Sequence, residues 1–219
     1  MINFVNFSSM YLAQNNGVNI FSLLCTFALL IMVLPAGANE LGSFQRVETE
    51  TLDEEDFIFP DDFKGESLNI VMLAMSKEQD NGTWQGDALV EWYTALADQG
   101  VLSDKVLGYH FSVMKVPFFV KGFIRGGMAD SYEGKMPLNQ AGAIFTKDLA
   151  AFAGAPGIPL DGQPTLVLVA PDGELIAFFK GEVSDEGLAA FGEIVAGYLQ
   201  LRADFIEQSA PDTAAPVAD

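Results

Sequence analysis

The chain is 219 residues long, half of it hydrophobic, and carries 30 acidic against 11 basic side chains for a formal net charge of -19. Charge of that sign repels nucleic-acid phosphates and anionic lipid headgroups, so a nucleic-acid-binding role is excluded and the acidity reads as a solubility or salt adaptation. One cysteine, Cys25, and one histidine, His110, exclude an internal disulfide framework and a zinc site built from thiolate and imidazole.

Ile20 to Leu34 is apolar and uncharged, and Pro35 is followed by Ala36-Gly37-Ala38, the small-x-small pattern of a signal-peptidase site. The run falls short of the roughly 20 apolar residues of a membrane span. Residues 1–38 are therefore expected to be a signal peptide, giving a periplasmic or secreted protein whose mature chain has no cysteine. No Lys or Arg precedes the run, Arg46 being the first. Anchoring to a membrane by an uncleaved N-terminal segment is the alternative, and the only membrane contact expected.

Residues 39–66 are crowded with acids between Glu48 and Asp62 and read as a flexible acidic leader whose Phe57-Ile58-Phe59-Pro60 patch docks onto the domain. The alternating oxygen ligands and central glycine of an EF-hand are absent. Leu68 to Ala74 is a short apolar run that suits a strand buried on both faces. Thr83 can cap a helix in which Leu89, Trp92, Tyr93 and Leu96 share a face and Gly100 supplies the stop. Val106 to Val113 alternates as a strand, with Tyr109, Phe111 and Val113 on one side and Gly108, His110 and Ser112 on the other.

Pro117 to Met128 reads as a short apolar helix ended by Gly126-Gly127. Gly142 to Phe145 suits a brief strand, and Thr146 with Asp148 the start of a helix through Phe152. Thr165 to Ala170 and Glu174 to Lys180 flank the turn Pro171-Asp172-Gly173 and predict a hairpin. Ser184 then caps a helix whose apolar face holds Leu188, Phe191, Ile194, Val195, Tyr198 and Leu199. One domain over 67–203 is expected, followed by a disordered acidic tail at 204–219, rich in Ala, Pro and Asp.

A strand-helix-strand half joined through a helical crossover to a strand-strand-helix half resembles the thioredoxin-like superfamily, an α/β fold with a central mixed sheet flanked by helices. Gln163-Pro164-Thr165 stands where thioredoxin-like proteins carry a cis-proline, so the resemblance implies a cis bond at Pro164 and a partner-binding face formed by Trp84, Gln163, Pro164 and Thr165. Val116-Pro117, Gly122-Phe123-Ile124-Arg125-Gly126-Gly127-Met128 and Phe145-Thr146-Lys147-Asp148 resemble bacterial relatives of the mitochondrial ATP synthase assembly factor. That likeness implies an assembly or chaperone role, and makes Gly122, Phe123, Gly126, Gly127 and Met128 a second candidate surface. An exported location departs from a role beside the inner-membrane ATP synthase.

Where redox members of the superfamily place their nucleophilic cysteine, this chain reads Ser76-Lys77-Glu78-Gln79-Asp80-Asn81-Gly82-Thr83-Trp84. An unactivated serine cannot exchange electrons with a disulfide. Ser76 or Ser112 would need a positioned base, and a lone histidine on a strand is more often structural. Carboxylates are plentiful but clustered as solvated charge, so the sequence points to no catalytic residue, no metal site and no cofactor. Two readings compete: an exported, non-redox thioredoxin-like protein that binds a protein partner, and an enzyme of the same superfamily using a partner's thiol or a bound metal. Trp92 reads as core and Trp84 as a residue at the helix entrance.

Overall fold

The computed structural model describes residues 3–4 and 41–209. Cys25, the cleavage point after Ala38 and residues 210–219 of the tail lie outside the described residues. The strands are β1 (Asn3–Phe4), β2 (Val47–Glu50), β3 (Asp56–Phe59), β4 (Leu68–Met75), β5 (Val106–Met114), β6 (Ala141–Phe145), β7 (Thr165–Val169) and β8 (Leu175–Lys180). The helices are α1 (Gln79–Asp98), α2 (Lys121–Tyr132), α3 (Leu149–Gly154) and α4 (Asp185–Ser209). A 3-10 turn, Phe118–Val120, leads into α2.

The main sheet runs β1-β8-β7-β4-β5-β6. β4 pairs parallel with β5, and β5 parallel with β6, whereas β7 is antiparallel to both β4 and β8. Parallel neighbours require crossovers, which α1 supplies between β4 and β5 and α2 between β5 and β6; the β7–β8 pair needs only a turn. This strand order, with its antiparallel hairpin on the far side of a parallel pair, is the thioredoxin-like fold. The described β1 adds only two residues to the outer edge of β8.

Strand periodicity divides the core in two. Leu68, Ile70, Met72 and Ala74 of β4 meet Leu89, Trp92 and Leu96 of α1 and Leu188, Phe191 and Val195 of α4. Val71, Leu73 and Met75 point the other way, into a cluster with Phe57 and Phe59 of β3, Tyr109 and Phe111 of β5 and Phe152 of α3. Trp92 is wholly buried and donates its indole N–H to the Gly181 carbonyl at 2.9 Å.

Several expectations need correction. The Phe57–Pro60 patch docks onto the domain as expected, with Phe57 and Phe59 buried, but residues 41–66 are not flexible: β2 and β3 form an antiparallel hairpin, and the Thr49 hydroxyl donates to the Ala143 carbonyl of β6 at 2.8 Å. The acids there alternate with apolar residues at the strand period, so they decorate the solvent face of an ordered element. α1 starts at Gln79, before Thr83, because the Ser76 hydroxyl accepts from Glu78 N–H at 3.0 Å and turns the chain earlier.

α2 runs through Gly126-Gly127 and ends near Gly134, whose φ of +73° suits glycine. Packing of its C-terminal half, where Tyr132 is buried, offsets the cost of two helical glycines. α4 continues to Ser209, past the expected start of the tail at 204, since Ala203 to Ser209 has neither Gly nor Pro to stop it. The cis peptide bond among the described residues is Phe59-Pro60, and Gln163-Pro164 is trans. Gly162, at φ +75°, and an Asp161 carboxylate accepting from Gln163 N–H at 3.2 Å make the turn before Pro164, so the proline enters β7 without needing the cis form.

Candidate functional site

At the end of the sheet where β4 runs into α1, a depression of about 300 Å³ opens between Met75, Ser76, Lys77, Glu78, Asn81, Leu149, Leu160 and Gly162. Two loops meet there. The Asn81 side-chain N–H donates to the Gly162 carbonyl at 3.0 Å, tying the first turn of α1 to the loop before β7. Asn81 is fixed by Gln85 one turn on, whose amide N–H donates to Asn81 Oδ1 at 2.7 Å. Gln85 is fully buried, and it accepts from Met75 N–H at 2.8 Å and donates to the Met75 carbonyl at 3.1 Å, so it closes the last backbone pair of β4. A buried amide with its groups satisfied in this way holds the loop in one geometry.

The loop before β7 is pinned from its other side. The largely buried Lys180 ammonium donates to the Pro159 carbonyl and to the Asp161 carboxylate, both at 2.5 Å. Partial burial pushes the Asp161 carboxyl upward, but the bonds from Lys180 and from Gln163 N–H outweigh it and the net displacement is down.

The residues expected to form a partner face come together only in part. Trp84 is half-buried and donates its indole N–H to the Glu182 carboxylate at 2.9 Å, while the neighbouring Gly181 N–H bonds to the Pro164 carbonyl at 3.0 Å. Gln163 is exposed beside them. Pro164 and Thr165, by contrast, are buried, and the Thr165 hydroxyl donates to the Gln163 carbonyl at 3.2 Å. Thr165 offers no side-chain surface, because β7 is a central strand between β4 and β8. Asn81, Gln85 and Lys180 were missed in the sequence; the spacing of Asn81 and Gln85, one helical turn apart, is the signal that could have paired them.

The lining of this depression is mixed: Ser76, Lys77, Glu78 and Asn81 are polar or charged, and Met75, Leu149 and Leu160 are apolar. Ser76 occupies the start of the loop, its hydroxyl donating to the Glu78 carbonyl at 2.8 Å. His110 lies elsewhere, wholly buried on β5 and stacked on Tyr132 with ring centroids 5.0 Å apart. Neither of its ring nitrogens has a hydrogen-bond partner, and desolvation lowers its pKa to about 3, so it stays neutral. Tyr132 is pushed up to about 12, chiefly by burial, and is hydrogen-bonded to Ser112. Among the described residues, no three His, Cys, Asp or Glu side chains are grouped to hold a metal ion.

The second candidate surface lies on α2 and the turn before it. Gly122, Phe123, Gly126 and Gly127 are exposed and Met128 is half-buried. Phe118, Phe119 and Phe123 are 85%, 83% and 86% exposed, respectively. Apart from their chain neighbours and the helix's own backbone, no atom lies within 4 Å of where a Cβ would stand on Gly122, Gly126 or Gly127. The glycines therefore serve no close packing within the chain.

No family model matches the chain, and no curated protein matches it. Among solved structures it is similar to BsSco, a member of the Sco family of cytochrome c oxidase assembly proteins, at 10% identity and a TM-score of 0.47, over 74% of this chain and 97% of that one. It is also similar to yeast Sco1 with copper bound, at 12% identity and a TM-score of 0.45, over 81% of this chain and 99% of that one. A thiol:disulfide interchange protein from Chlorobium tepidum TLS is 14% identical, with a TM-score of 0.45 over 75% of this chain and 99% of that one. The thioredoxin-like layout stands on the strand order itself.

Proposed function

We propose that this chain is an exported, non-redox thioredoxin-like protein that binds a protein partner as an assembly factor or chaperone. The observation that carries the reading is the Asn81–Gly162 bridge. At the end of the sheet, where a thiol-dependent member needs a free nucleophile, the Ser76 hydroxyl and the Asn81 amide are spent on loop partners beside the depression. Thiol exchange requires a thiolate, and the only cysteine in the sequence is Cys25, in the segment read as a cleaved leader. Beside these loops stand the half-exposed Trp84 ring and the exposed Gln163 side chain, an aromatic anchor next to a polar group of the kind that concentrates binding energy.

The test is a photo-crosslinking side chain placed at Gln163 in the full chain and activated in cell envelope. A discrete protein adduct, identified by mass spectrometry and diminished by Trp84→Ala at unchanged melting temperature, is the expected result. An adduct pattern indifferent to Trp84→Ala would remove this face from the reading. Insulin reduction by the purified chain above a no-protein blank would overturn the non-redox role.

A further inference from the structure

We propose that the segment from Lys115 to Met128 is a membrane-docking element that seats the rings of Phe118, Phe119 and Phe123 in the interface of an anionic bilayer. This goes beyond the protein-binding reading, and it gives the domain a membrane contact of its own, independent of the N-terminal segment.

Three phenylalanines more than four-fifths exposed within six residues of chain stand out from the surface instead of lying in a groove. The apolar packing of α2 on the domain is made by its other end. Tyr132 is buried with Val90, Leu52 and Met136, and Met128 and Ala129 pack against the same cluster, so the segment's first half is left clear. Large exposed apolar patches mark interaction sites.

Charge selects the occupant. From Lys115 to Met128 the sequence holds Lys115, Lys121 and Arg125 and no acid, within a chain of net charge -19. Arg125 is spent locally, paired with Glu50 and set 5.3 Å from the centroid of the Phe145 ring. Lys115 is exposed, and the half-buried Lys121 lies at the foot of the patch, its ammonium 5.1 Å from the Phe145 ring centroid and 5.8 Å from that of Phe118. A second copy docked by the same face would bring lysine against lysine and one acidic body against another. An anionic bilayer supplies both the apolar depth for the rings and the negative headgroups for the lysines, the pairing used by interfacial helices. Repulsion from the acidic remainder of the domain fades over a Debye length of about 8 Å at physiological salt.

The experiment uses the full chain with Cys25→Ser and Phe119→Cys, the new thiol carrying an environment-sensitive fluorophore, mixed with vesicles of phosphatidylcholine or of phosphatidylcholine with phosphatidylglycerol. The expected result is a blue shift on the anionic vesicles only, with affinity falling by more than about fivefold when Lys115→Glu is added and falling again at high salt. Because the reporter sits on the patch, membrane attachment through the N-terminal segment alone leaves it in water. A fluorophore unshifted on both vesicles overturns the proposal and gives the patch to a protein partner, and so does a shift indifferent to lipid charge and to Lys115→Glu. Loss of the Gln163 crosslink has no bearing on this readout, so the two readings fail separately.

Discussion

Beneath the β2–β3 hairpin Phe59 packs against Phe44, Phe111 and Phe152 at centroid separations of 4.9, 5.2 and 5.8 Å, whereas on α2 and its leading turn Phe118, Phe119 and Phe123 lie almost entirely in solvent. Both stretches are phenylalanine-rich, and each holds a run that reads from the sequence as apolar, Phe57 to Pro60 in the first and Pro117 to Met128 in the second. The difference lies in what each element is fastened to. The hairpin is stitched to β6 by Thr49 and by the Leu52 N–H, which donates to the Ala141 carbonyl at 2.8 Å, so its inward residues land on a sheet face. α2 buries apolar surface only through Met128, Ala129 and Tyr132, with Arg125 paired to Glu50 midway, so the helix covers only part of its own surface.

The largest effect expected is from Phe59→Ala. Phe59 has no exposed surface, and truncating a buried phenylalanine costs about 3–5 kcal/mol. Urea unfolding with an unchanged m-value would measure it. A loss below about 1 kcal/mol would mean that the hairpin adds little to the domain and would restore the loose-leader view of residues 39–66.

His110 supplies the next. Its folded pKa, about 3, lies below the ordinary 6.5, so between those values the unfolded chain binds a proton that the folded chain refuses. The stability contributed is whole above pH 6.5 and falls as the pH drops toward 3, by up to about 1.4 kcal/mol per unit. Carboxylate protonation overlaps this range, so the measure is the difference between the wild type and His110→Phe, which keeps a ring against Tyr132. The variant is expected to gain on the wild type by roughly 2 kcal/mol between pH 6.5 and 5. Parallel stability curves would show that the imidazole is not desolvated as described.

The same contrast shows what was legible in the sequence. β4, β5 and the β7–β8 hairpin were readable because their patterns are local: an unbroken apolar run, a period-two alternation and a Pro171-Asp172-Gly173 turn each specify an element without reference to the rest. The cap at Asp148, which accepts from Ala151 N–H at 3.0 Å, was readable for the same reason. The hairpin at residues 47–59 was not, since its acid density masked the alternation and only β6 gives it a place to pair. The meeting of the loop after β4 with the loop before β7 was legible, but neither Trp84 nor Gln163 lines the depression there, and the groups that shape it are polar residues far apart in the chain. Asn81 and Gly162 are joined only by the fold, and Thr165, though adjacent to Pro164, faces inward because β7 is central.

Gln85 tests that hidden part. Gln85→Leu keeps the bulk at a fully buried position but strands the Met75 N–H and carbonyl, which costs about 1–3 kcal/mol. Amide exchange should accelerate over residues 76–82 more than in β5 or β7. Uniform acceleration would make Gln85 a general core residue instead of the tie between β4 and the loop.

The smallest effect is expected on the other side of the comparison, from serine at Phe118, Phe119 and Phe123 together. If each ring contributes no more contact than its exposure of 83–86% allows, the triple variant removes almost no buried area, and its unfolding free energy should stay within about 0.5 kcal/mol of the wild type. The helix itself should persist, because Tyr132 and Met128 hold it and none of the three replaced rings belongs to that cluster. Circular dichroism melts together with amide exchange across residues 121–132 would check both points. Destabilisation by 2 kcal/mol or more would mean that the rings pack within the chain in solution, and the patch would then belong to the folding core along with Phe59. A variant as stable as the wild type leaves the three phenylalanines without a structural reason for standing in water, and gives the vesicle experiment its control: any loss of binding then comes from the missing rings and not from an unfolded domain.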